Sequence, residues 1–330
     1  MEYFAGLDLG VKSTAICVVD GSGTVVFETS VATEPEAIRS ALEGYADRLR
    51  RVGHEAGSLS PWLHTGLVRL GLTVVLLETR HVHAALKAQR NKTDKNDARG
   101  IAQLVRTGWY RSVHVKSDAS YRLRLLLGHR RTLKRKFLDI ENEIRHSLKV
   151  FGIKLGAVGR VGFEGKVRER VAGDDLLTAL SEPMLRARAA LWAEYTRMHA
   201  LVVRVVGQDA ICRRFMGIPG VGPVTALAFK AAVDDPARFA RSRLVGAHFG
   251  LTPKREQSGT SVDFDGHISR RGDAEVRTLL YEAASALLTR AKTASTLKAW
   301  GAKLQRRCGH KRAVVAVARK LAVIMHAMWR

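Results

Sequence analysis

Cysteines and long apolar runs are the two features that this sequence most clearly lacks. Its only cysteines are Cys17, Cys212 and Cys308. An odd number without metal-type spacing argues against a disulfide framework and fits a reducing cytoplasm. No apolar run reaches the length that spans a bilayer, because Arg319 and Lys320 interrupt even the stretch 313–329. No basic segment precedes the first apolar residues, so we expect no signal peptide.

Acidic residues are scarce relative to basic ones, with 31 Asp and Glu against 55 Lys and Arg and a formal net charge of +24. Residues 1–60 hold five basic and nine acidic side chains, a net of −4, so the remainder carries +28. Residues 122–170 contain fourteen basic and five acidic side chains, and residues 268–330 contain fourteen and three. Such an excess repels itself unless a polyanion neutralises it.

The charge pattern makes nucleic acid the leading candidate partner, because each phosphate contact releases condensed counterions. A solvated basic surface without a specific partner is the alternative. A membrane partner is not expected, since the basic stretches lack interfacial aromatic residues.

Apolar residues, at 46% of 330 residues, suffice to build a core and to fill two domains. The N-terminal pattern alternates β-rich runs with helical spacing. We predict strands at residues 4–9, 13–19, 24–31, 52–56 and 73–77, and helices at residues 34–51, 61–70 and 94–106. Three antiparallel strands followed by helix, strand, helix, strand and helix is the order of a ribonuclease H-like domain. The sequence therefore predicts an α/β domain with a mixed sheet over residues 1–115.

Residues 116–210 have the spacing of long packed helices. Apolar residues recur at intervals of seven, four or three in residues 126–148 and 191–205, which is the seam pattern of paired or coiled helices. The glycines between them, at residues 152–165, indicate a turn or a mobile connector. We predict a coiled-coil arm that either spaces two domains or pairs subunits and lies along nucleic acid.

Residues 211–330 change in character again. Glycines and prolines cluster at residues 217–223, and helical patterns return at residues 273–292 and 311–329. We predict a mainly α C-terminal domain here, so that the chain has three parts with boundaries after residues 115 and 210.

Two carboxylates stand at the ends of predicted strands. Asp8 lies among small residues in the run Gly-Leu-Asp-Leu-Gly, where a carboxylate is unfavourable to bury unless it binds a cation. Glu55 ends the short strand that lies beside the first one in a ribonuclease H-like sheet, so the two side chains could converge on one ion. Considered alone, Asp8 could also belong to an ordinary turn at the end of a strand or to the first phosphate loop of an actin-like ATPase. Considered alone, Glu55 could be an ordinary acidic residue of the surface.

The run 92–98, Lys-Thr-Asp-Lys-Asn-Asp-Ala, is the strongest local signal. Asp94 and Asp97 are three residues apart and project from the same face of one helical turn, with Thr93 as a candidate N-cap. Acid enrichment in the first turn of a helix is the simpler explanation of this pair. Four carboxylates in this fold order suit phosphoryl transfer, in which several acids offset the charge of two divalent ions. Mg²⁺, with Mn²⁺ as the alternative, suits such oxygen ligands.

The set Asp8, Glu55, Asp94 and Asp97 resembles the DEDD catalytic residues of the insertion-sequence family numbered one-ten, the transposases related to Piv DNA invertases. The runs at residues 54–57, 78–82 and 92–98 support the resemblance, which covers nearly the whole chain. It implies that the N-terminal domain is similar to the Holliday-junction resolvase RuvC and that the four carboxylates hold the catalytic metal ions.

Residues 215–226 have the form of a helix–hairpin–helix, and a merely structural helix–turn–helix is the alternative. Gly220 and Gly222 would let backbone N–H groups approach a phosphate, and the following helix N-terminus would add positive potential. The motif implies contact with the nucleic-acid backbone without base readout.

Residues 250–259 and 266–272 resemble the second conserved region of the same family, in which a serine before a glycine is the DNA nucleophile. The match falls on Ser258, with Ser261 and Ser269 as its nearest competitors. A hydroxyl attacks phosphorus only when it is deprotonated and aligned. Nearby cations are expected to hold the phosphate and to stabilise its developing charge. These predicted nucleic-acid-binding cations are Lys254, Arg255, Arg270 and Arg271.

The resemblance implies a DNA transposase or site-specific recombinase that moves a mobile element through a phosphoserine intermediate. It further implies a homo-oligomer, dimer or tetramer, a bridge RNA that pairs with element-end and target DNA, and a location in the bacterial cytoplasm at the nucleoid. Three alternatives stay open: a metal-dependent Holliday-junction nuclease that needs no serine, a non-catalytic nucleic-acid-binding protein, and an actin-like ATPase. The ATPase fits worst, because the sequence has no convincing second phosphate loop.

Overall fold

The computed structural model describes residues 1–87, 91–258 and 262–330, with only the backbone described at residues 256, 258 and 262–265. The chain forms two compact units, Met1–Lys116 and Ser117–Arg330. The predicted three-part division, with a further boundary after residue 210, stays a prediction. Among the described helices, none is both long enough and apolar enough to span a bilayer.

The first unit is built on a mixed five-stranded sheet. Its strands are β1 (Tyr3–Leu9), β2 (Ser13–Asp20), β3 (Val25–Ala32), β4 (Leu49–Glu55) and β5 (Val74–Leu77). The strand order is β3-β2-β1-β4-β5. The first three strands are antiparallel neighbours, whereas β4 runs parallel to β1 and β5 runs parallel to β4. The predicted α/β class of the N-terminal part is confirmed.

Helices cover both faces of this sheet. They are α1 (Pro35–Ala41), α2 (Ser60–Arg69), α3 (Thr79–Leu86) and α4 (Asp94–Thr107). Leu7 and Val52 pack on one face against the apolar residues of α1 and α2, including Ile38 and Leu63. The opposite face packs against α4. Because both faces are covered, β1 and β2 read as nearly continuous apolar runs.

The prediction of a single helix over residues 34–51 was wrong. Helix α1 ends at Ala41, a 3₁₀ helix follows at Glu43–Arg48, and Leu49 begins β4. Tyr45 and Leu49 pack against the core in this arrangement too, so their apolar spacing could not distinguish the two structures. Gly44, a poor helix former, favours the break. Helix α3 was not predicted, because it is short and directly follows a strand.

The second unit is mainly helical. Its helices are α5 (Asp118–Lys149), α6 (Phe163–Val171), α7 (Asp175–Gln208), α8 (Ala210–Met216), α9 (Pro223–Val233), α10 (Arg243–His248), α11 (Ala274–Thr289), α12 (Thr296–Cys308) and α13 (His310–Trp329). Strands β6 (Pro253–Ser258) and β7 (Val262–Ile268) form an antiparallel pair. The sequence patterns predicted the mainly α character but missed β6, β7, α6 and α12.

Helices α5 and α7 pack side by side in antiparallel directions. Arg130 donates to the hydroxyl of Tyr195 at 2.8 Å, and Phe137 meets Trp192 edge-to-face at 5.0 Å. One turn further along α5, Glu141 accepts from Arg188 at 2.7 Å. Residues further along α5 therefore contact residues earlier in α7, which is the pattern of antiparallel helices. The predicted pairing of long helices is present, whereas its extension to a coiled-coil arm between subunits stays a prediction.

Arg188 is a buried cation inside this helical pair. Its guanidinium donates to Glu141, to Glu164 and to the carbonyl oxygen of Arg160, and only 2% of the side chain is exposed. These bonds link α5 and α7 to the segment around α6. A buried charge with all these partners favours the observed register of the helices, because separating it from them would leave it buried and unpaired.

Candidate active site

The sheet brings two of the predicted site residues to one edge. Strands β1 and β4 are parallel, with Leu7 paired to His54 in the register. Asp8 and Glu55 follow these paired residues, so they lie at the carboxyl ends of neighbouring parallel strands. Both line one cavity of about 290 Å³, which the turns after the two strands complete. Convergence of Asp8 and Glu55, which the sequence predicted, is present in the fold.

Helix α4 carries Asp94 and Asp97 in its first turn and packs directly on β1 and β4. A Cβ atom added at Gly6 would lie 2.2 Å from the carbonyl oxygen of Ala98, and one added at Gly53 would lie 2.2 Å from the Val105 side chain. Only glycine at these two positions lets α4 come this close. The helix therefore begins near the strand ends that carry Asp8 and Glu55.

The predicted cap at Thr93 is confirmed, since its hydroxyl accepts from the backbone N–H of Asn96 at 3.2 Å. Asp94 is exposed, and Asp97 is partly buried one turn nearer the sheet. The cap fixes where α4 starts, and with it the direction in which the first-turn carboxylates project.

The four carboxylates interact electrostatically. Burial, followed in order of size by the negative charges of Asp97, Asp94 and Glu55, raises the pKa of Asp8 from 3.8 to about 6. Burial likewise raises the pKa of Glu55, and the charge of Asp97 adds to the effect. Lys92 lowers the pKa of both groups. The strand ends therefore carry concentrated negative charge, which a cation would offset.

The donor set fits a divalent cation in chemistry and charge. All four side chains offer hard oxygen ligands, which Mg²⁺ and Mn²⁺ prefer. In the part of the chain that the structure describes, however, no three His, Cys, Asp or Glu side chains lie close enough together to hold one ion. The structure therefore gathers the carboxylates without arranging them as a set of three ligands.

The proposed helix–hairpin–helix comprises α8, the turn 217–222 and α9. Gly220 has a φ of +92°, and a Cβ atom there would lie 2.4 Å from the carbonyl oxygen of Ala283 in α11. Packing against α11 thus explains glycine at this position. Gly222 is the N-cap of α9, and nothing lies within 4 Å of the place where its Cβ would be. Contact of these two glycines with phosphate stays a prediction.

Strands β6 and β7 carry the predicted serine region. Ser258 is the last residue of β6 and pairs with Val262, but its side chain lies outside the described part of the chain, as does Ser261 entirely. Lys254 and Arg255 are exposed on β6, and Arg255 lies opposite Asp265 in the register. The backbone of β6 therefore contains the predicted serine and two of its four cations.

The base of the strand pair is held by close backbone contacts. The N–H of Arg270 donates to the carbonyl oxygen of Gly250, and a Cβ atom on Gly250 would lie 2.3 Å from the carbonyl oxygen of Arg271. Arg270 itself has a φ of +52°, in the left-handed region that disfavours side chains. Arg270 and Arg271 are both exposed. The left-handed conformation of Arg270 is therefore held by these contacts at a local cost in stability.

Comparison with known proteins covers both units. Residues 5–152 match the family model of DEDD transposases of the IS110 group, described as "Transposase", and residues 212–300 match "Transposase IS116/IS110/IS902 family". The transposase for insertion sequence element IS1111A of Coxiella burnetii is 30% identical over 333 residues, which cover 98% of this chain and 88% of that protein. The chain belongs to this transposase family.

Other relatives agree. A probable family 20 transposase of Pseudomonas aeruginosa is 30% identical over 281 residues, 82% of this chain and 81% of that protein. Among solved structures, T. thermophilus RuvC in complex with a Holliday junction substrate shares 15% identity with a TM-score of 0.25, over 34% of this chain and all of that one. So low a score carries no argument about the fold, which rests on the strand order given above.

Family membership identifies the chain as a DNA transposase, and its DEDD class implies dependence on a divalent metal ion. The first matched segment begins within β1, covers the rest of the first unit and extends through α5 of the second. The second matched segment lies in the second unit and runs from α8 into α12. Residues 301–330 of the transposase lie outside both segments.

Three residues near the carboxylates were not predicted as part of the site. The Thr79 hydroxyl interacts with Glu55 and lowers its pKa, as do the charges of Lys92 and His83. Thr79 also donates to the carbonyl oxygen of Ala56 at 2.8 Å. Thr79 and Lys92 stand in the runs that carried the family resemblance, which was the available signal. The sequence could not predict that these residues interact with Glu55, because Glu55 is distant from them in the chain.

His54 precedes Glu55 in the transposase and is fully buried. Burial, and to a smaller extent the neighbouring His64, lowers the pKa of His54 to about 4, so the imidazole is neutral at physiological pH. The two rings lie 5.8 Å apart. His54 therefore belongs to the packing beneath the site rather than to its charge.

Proposed function

We propose that this transposase excises and inserts a mobile element by Mg²⁺-dependent phosphoryl transfer, with Ser258 as the nucleophile. The single observation that carries the proposal is the placement of Asp8 and Glu55 at the carboxyl ends of neighbouring parallel strands, close enough to Asp94 and Asp97 for all four charges to interact. Four mutually repelling carboxylates at a half-buried edge are unfavourable for stability alone. They are expected where cations must be held.

In the proposed reaction, Asp8, Glu55, Asp94 and Asp97 hold Mg²⁺, with Mn²⁺ as a substitute. The bound metal ions supply charge stabilisation to the reacting phosphate and to the oxygens that enter and leave it. Lys92 moderates the repulsion among the carboxylates, as its effect on the pKa values of Asp8 and Glu55 indicates. Thr79 orients Glu55.

Ser258 supplies the nucleophilic oxygen. Its hydroxyl loses a proton as the Oγ–P bond forms, and one P–O bond of the DNA backbone breaks to release a deoxyribose hydroxyl that takes up a proton. A hydroxyl from another strand then attacks the phosphoserine and restores Ser258, so the number of phosphodiester bonds is conserved. The four cations Lys254, Arg255, Arg270 and Arg271 hold the phosphate during both steps.

Two further features of the proposal come from the family resemblance. A bridge RNA pairs with element-end and target DNA, which would explain a chain with much positive charge and little base-reading machinery. The transposase acts as a dimer or tetramer in which different subunits supply the carboxylates and the serine of one site. The phosphate contacts of Gly220 and Gly222 belong to the same proposal.

Covalent trapping tests the proposal. The transposase is incubated with labelled element-end DNA and Mg²⁺, with and without RNA transcribed from the flanking non-coding region, and adducts are resolved under denaturing conditions. Wild type is compared with Ser258→Ala, Asp94→Ala and Ser269→Ala, the last being a matched control at the nearest described competing serine. We expect an RNA-dependent adduct in wild type and Ser269→Ala only.

The outcomes separate the alternatives. Cleavage that persists in Ser258→Ala and needs Asp94 would replace the serine mechanism with a metal-dependent nuclease, which the carboxylates could run with water. Loss of the adduct in Ser269→Ala would assign the role of nucleophile to Ser269 instead of Ser258. Binding without cleavage or adduct, with every cofactor present, would leave a non-catalytic nucleic-acid-binding protein. An adduct that forms equally well without RNA would remove the guide from the mechanism.

A further inference from the structure

The C-terminal end of the chain has no acidic residue at all. After Glu282, residues 283–330 contain eleven Lys and Arg and neither Asp nor Glu. No cation in this segment can therefore find an acidic partner within the segment. Its charge must be neutralised by the rest of the unit, by solvent ions or by a separate polyanion.

The fold directs these cations to the surface. Helices α12 and α13 pack closely, since a Cβ atom at Gly301 would lie 2.8 Å from the Val317 side chain. The inner face of α13 is buried through Val314, Val317 and Leu321. Seven exposed cations remain outside, and we call them the α12–α13 basic surface. They are Lys303, Arg306, Arg307, Lys311, Arg312, Arg319 and Lys320.

These cations differ from three basic residues of the same unit that form ion pairs. Arg124 pairs with Asp273, Arg131 with Glu275, and Lys230 with Asp209. In the α12–α13 basic surface, by contrast, no cation has an ion pair or a hydrogen bond to any residue that the structure describes. The exposed cations of this surface are therefore available to a partner.

The position of Lys311 and Arg312 supports this interpretation. Helix α13 begins at His310, so both cations lie in its first turn, where the helix dipole disfavours positive charge. Only Gly309 separates α12 from α13, and the cationic last turn of α12 is therefore adjacent. Self-repulsion at this junction lowers stability in the free protein, and a bound polyanion would remove it.

The shape and composition of the surface favour duplex DNA. Trp300, one turn before Lys303, is 40% exposed, and between residues 303 and 320 no described side chain is an exposed large apolar group. One aromatic ring beside seven cations favours a charged partner over a membrane or an apolar protein surface. Arg312 and Arg319 are seven residues apart on one face of α13, about 10 Å along its axis. That is close to the major-groove width of B-form DNA, about 12 Å, whereas the major groove of A-form RNA is narrow.

We propose that the α12–α13 basic surface binds the phosphate backbone of B-form DNA across its major groove. The inference rests on the proposed function only in taking DNA as the substrate, and it adds a binding surface beyond residue 300, outside both family-matched segments. The surface anchors the duplex without reading its bases, because it offers cations and almost no hydrogen-bond acceptors.

Salt-dependent binding of the full-length protein to element-end duplex DNA tests the inference. The test variant carries Lys303→Gln, Arg306→Gln, Lys311→Gln and Arg312→Gln. The control variant carries Arg39→Gln, Arg50→Gln, Arg122→Gln and Arg197→Gln, cations that already have acidic partners. Both variants lose four positive charges, so their net charges match. Thermal unfolding confirms that each is folded.

We expect the slope of log affinity against log salt to fall by about 2–4 in the test variant, since each lost phosphate contact removes about 0.9 from the slope. The control variant keeps a slope within about 1 of wild type. Affinity at 0.15 M salt should fall at least about tenfold in the test variant only. The double variant Lys311→Gln, Arg312→Gln should show about half the change in slope.

Equal slopes in the test and control variants would overturn the inference. So would a loss confined to an A-form RNA duplex of the same length, which would assign the surface to RNA. The Ser258-dependent adduct, measured at saturating DNA, is a separate readout. If it forms in all variants while the slopes agree, the proposed function stands and this inference fails. If wild type forms no adduct and cleaves no DNA, the proposed function fails by itself.

Discussion

Asp8 is the residue whose chemistry depends most on its surroundings. Its pKa is about 6 in the folded protein and 3.8 in an unfolded chain. Because the folded value is the higher one, ionised Asp8 destabilises the fold fully above pH 6, and the effect is relieved as pH falls towards 4. A strand-end acid that weakens its own domain at neutral pH is consistent with a cation site.

Replacing Asp8 by Asn should therefore stabilise the metal-free protein. We expect up to about 3 kcal/mol at pH 8 and almost no difference at pH 4, from a shift of about two pH units. Urea unfolding in EDTA at four pH values measures this. Asp47→Asn, an exposed acid of the same unit, is the control and should change nothing. An Asp8→Asn profile that runs parallel to wild type would contradict the burial argument.

The same carboxyl group predicts a pH dependence of metal binding. Asp8 must be ionised to bind Mg²⁺, so the apparent affinity should weaken below about pH 6, by up to tenfold per pH unit. Isothermal titration of wild type between pH 5 and 8 measures the effect. An affinity that is constant across this range would exclude Asp8 as a ligand that titrates near pH 6.

Arg270 illustrates a conflict between stability and function at one residue. Its φ of +52° is unfavourable for any side chain but suits glycine. Arg270→Gly should raise the free energy of unfolding by roughly 0.5–1 kcal/mol while weakening DNA binding. Arg271→Gly, which relieves no such strain, should weaken binding and lower stability. Denaturant unfolding and DNA binding of both variants measure this. Equal stability changes would remove the strain argument.

At the scale of elements, the close approach of α4 to the sheet decides the site. Gly6→Ala places a Cβ atom 2.2 Å from the Ala98 carbonyl oxygen, and backbone atoms cannot move aside as a flexible side chain can. We expect a loss of at least about 1–3 kcal/mol and weaker Mg²⁺ binding, because α4 carries Asp94 and Asp97 with it. Gly44→Ala, with no atom within 4 Å, is the control. Unchanged Mg²⁺ affinity in Gly6→Ala would show that the first turn of α4 does not contribute ligands.

The α5–α7 pair depends on Arg188 in a comparable way. Arg188→Met leaves Glu141 buried without its cation and should lower the free energy of unfolding by about 3–5 kcal/mol. Arg197→Met removes an exposed ion pair and should change it by less than about 0.5 kcal/mol. Guanidinium unfolding of both variants gives the comparison. Similar losses would mean that the buried pair does not select the register.

The boundaries of helices and strands were predicted less well from sequence patterns than the elements themselves. The start of α4 was predictable, because Thr93 and the acidic first turn are local signals for a helix N-terminus. The end of α1 was not, because Tyr45 and Leu49 contact the core in either structure. Strands β6 and β7 were missed, since their polar residues have no apolar alternation. Local signals in this chain therefore locate the start of a helix better than its end.

At the scale of the molecule, the two units should respond differently to metal. The carboxylates all lie in Met1–Lys116, so Mg²⁺ at about 100 times its dissociation constant should stabilise that unit by about 2.7 kcal/mol. In calorimetry we expect one unfolding transition to shift upwards and the other to stay in place. Asp8→Asn with Asp94→Ala should abolish the shift. Equal shifts of both transitions would indicate metal binding elsewhere or unfolding as one cooperative body.

The amino-acid sequence by itself determined the five strands of the first unit, the long helices of the second, the uneven charge and the spacing of four carboxylates. All of these are encoded over short stretches, as periodicity, caps and composition. Only the tertiary structure decided that Gly6 and Gly53 admit α4, that burial raises the pKa of Asp8, and that Gly220 is required by its packing against α11. These properties depend on atoms contributed by residues far apart in the chain, which no local pattern records.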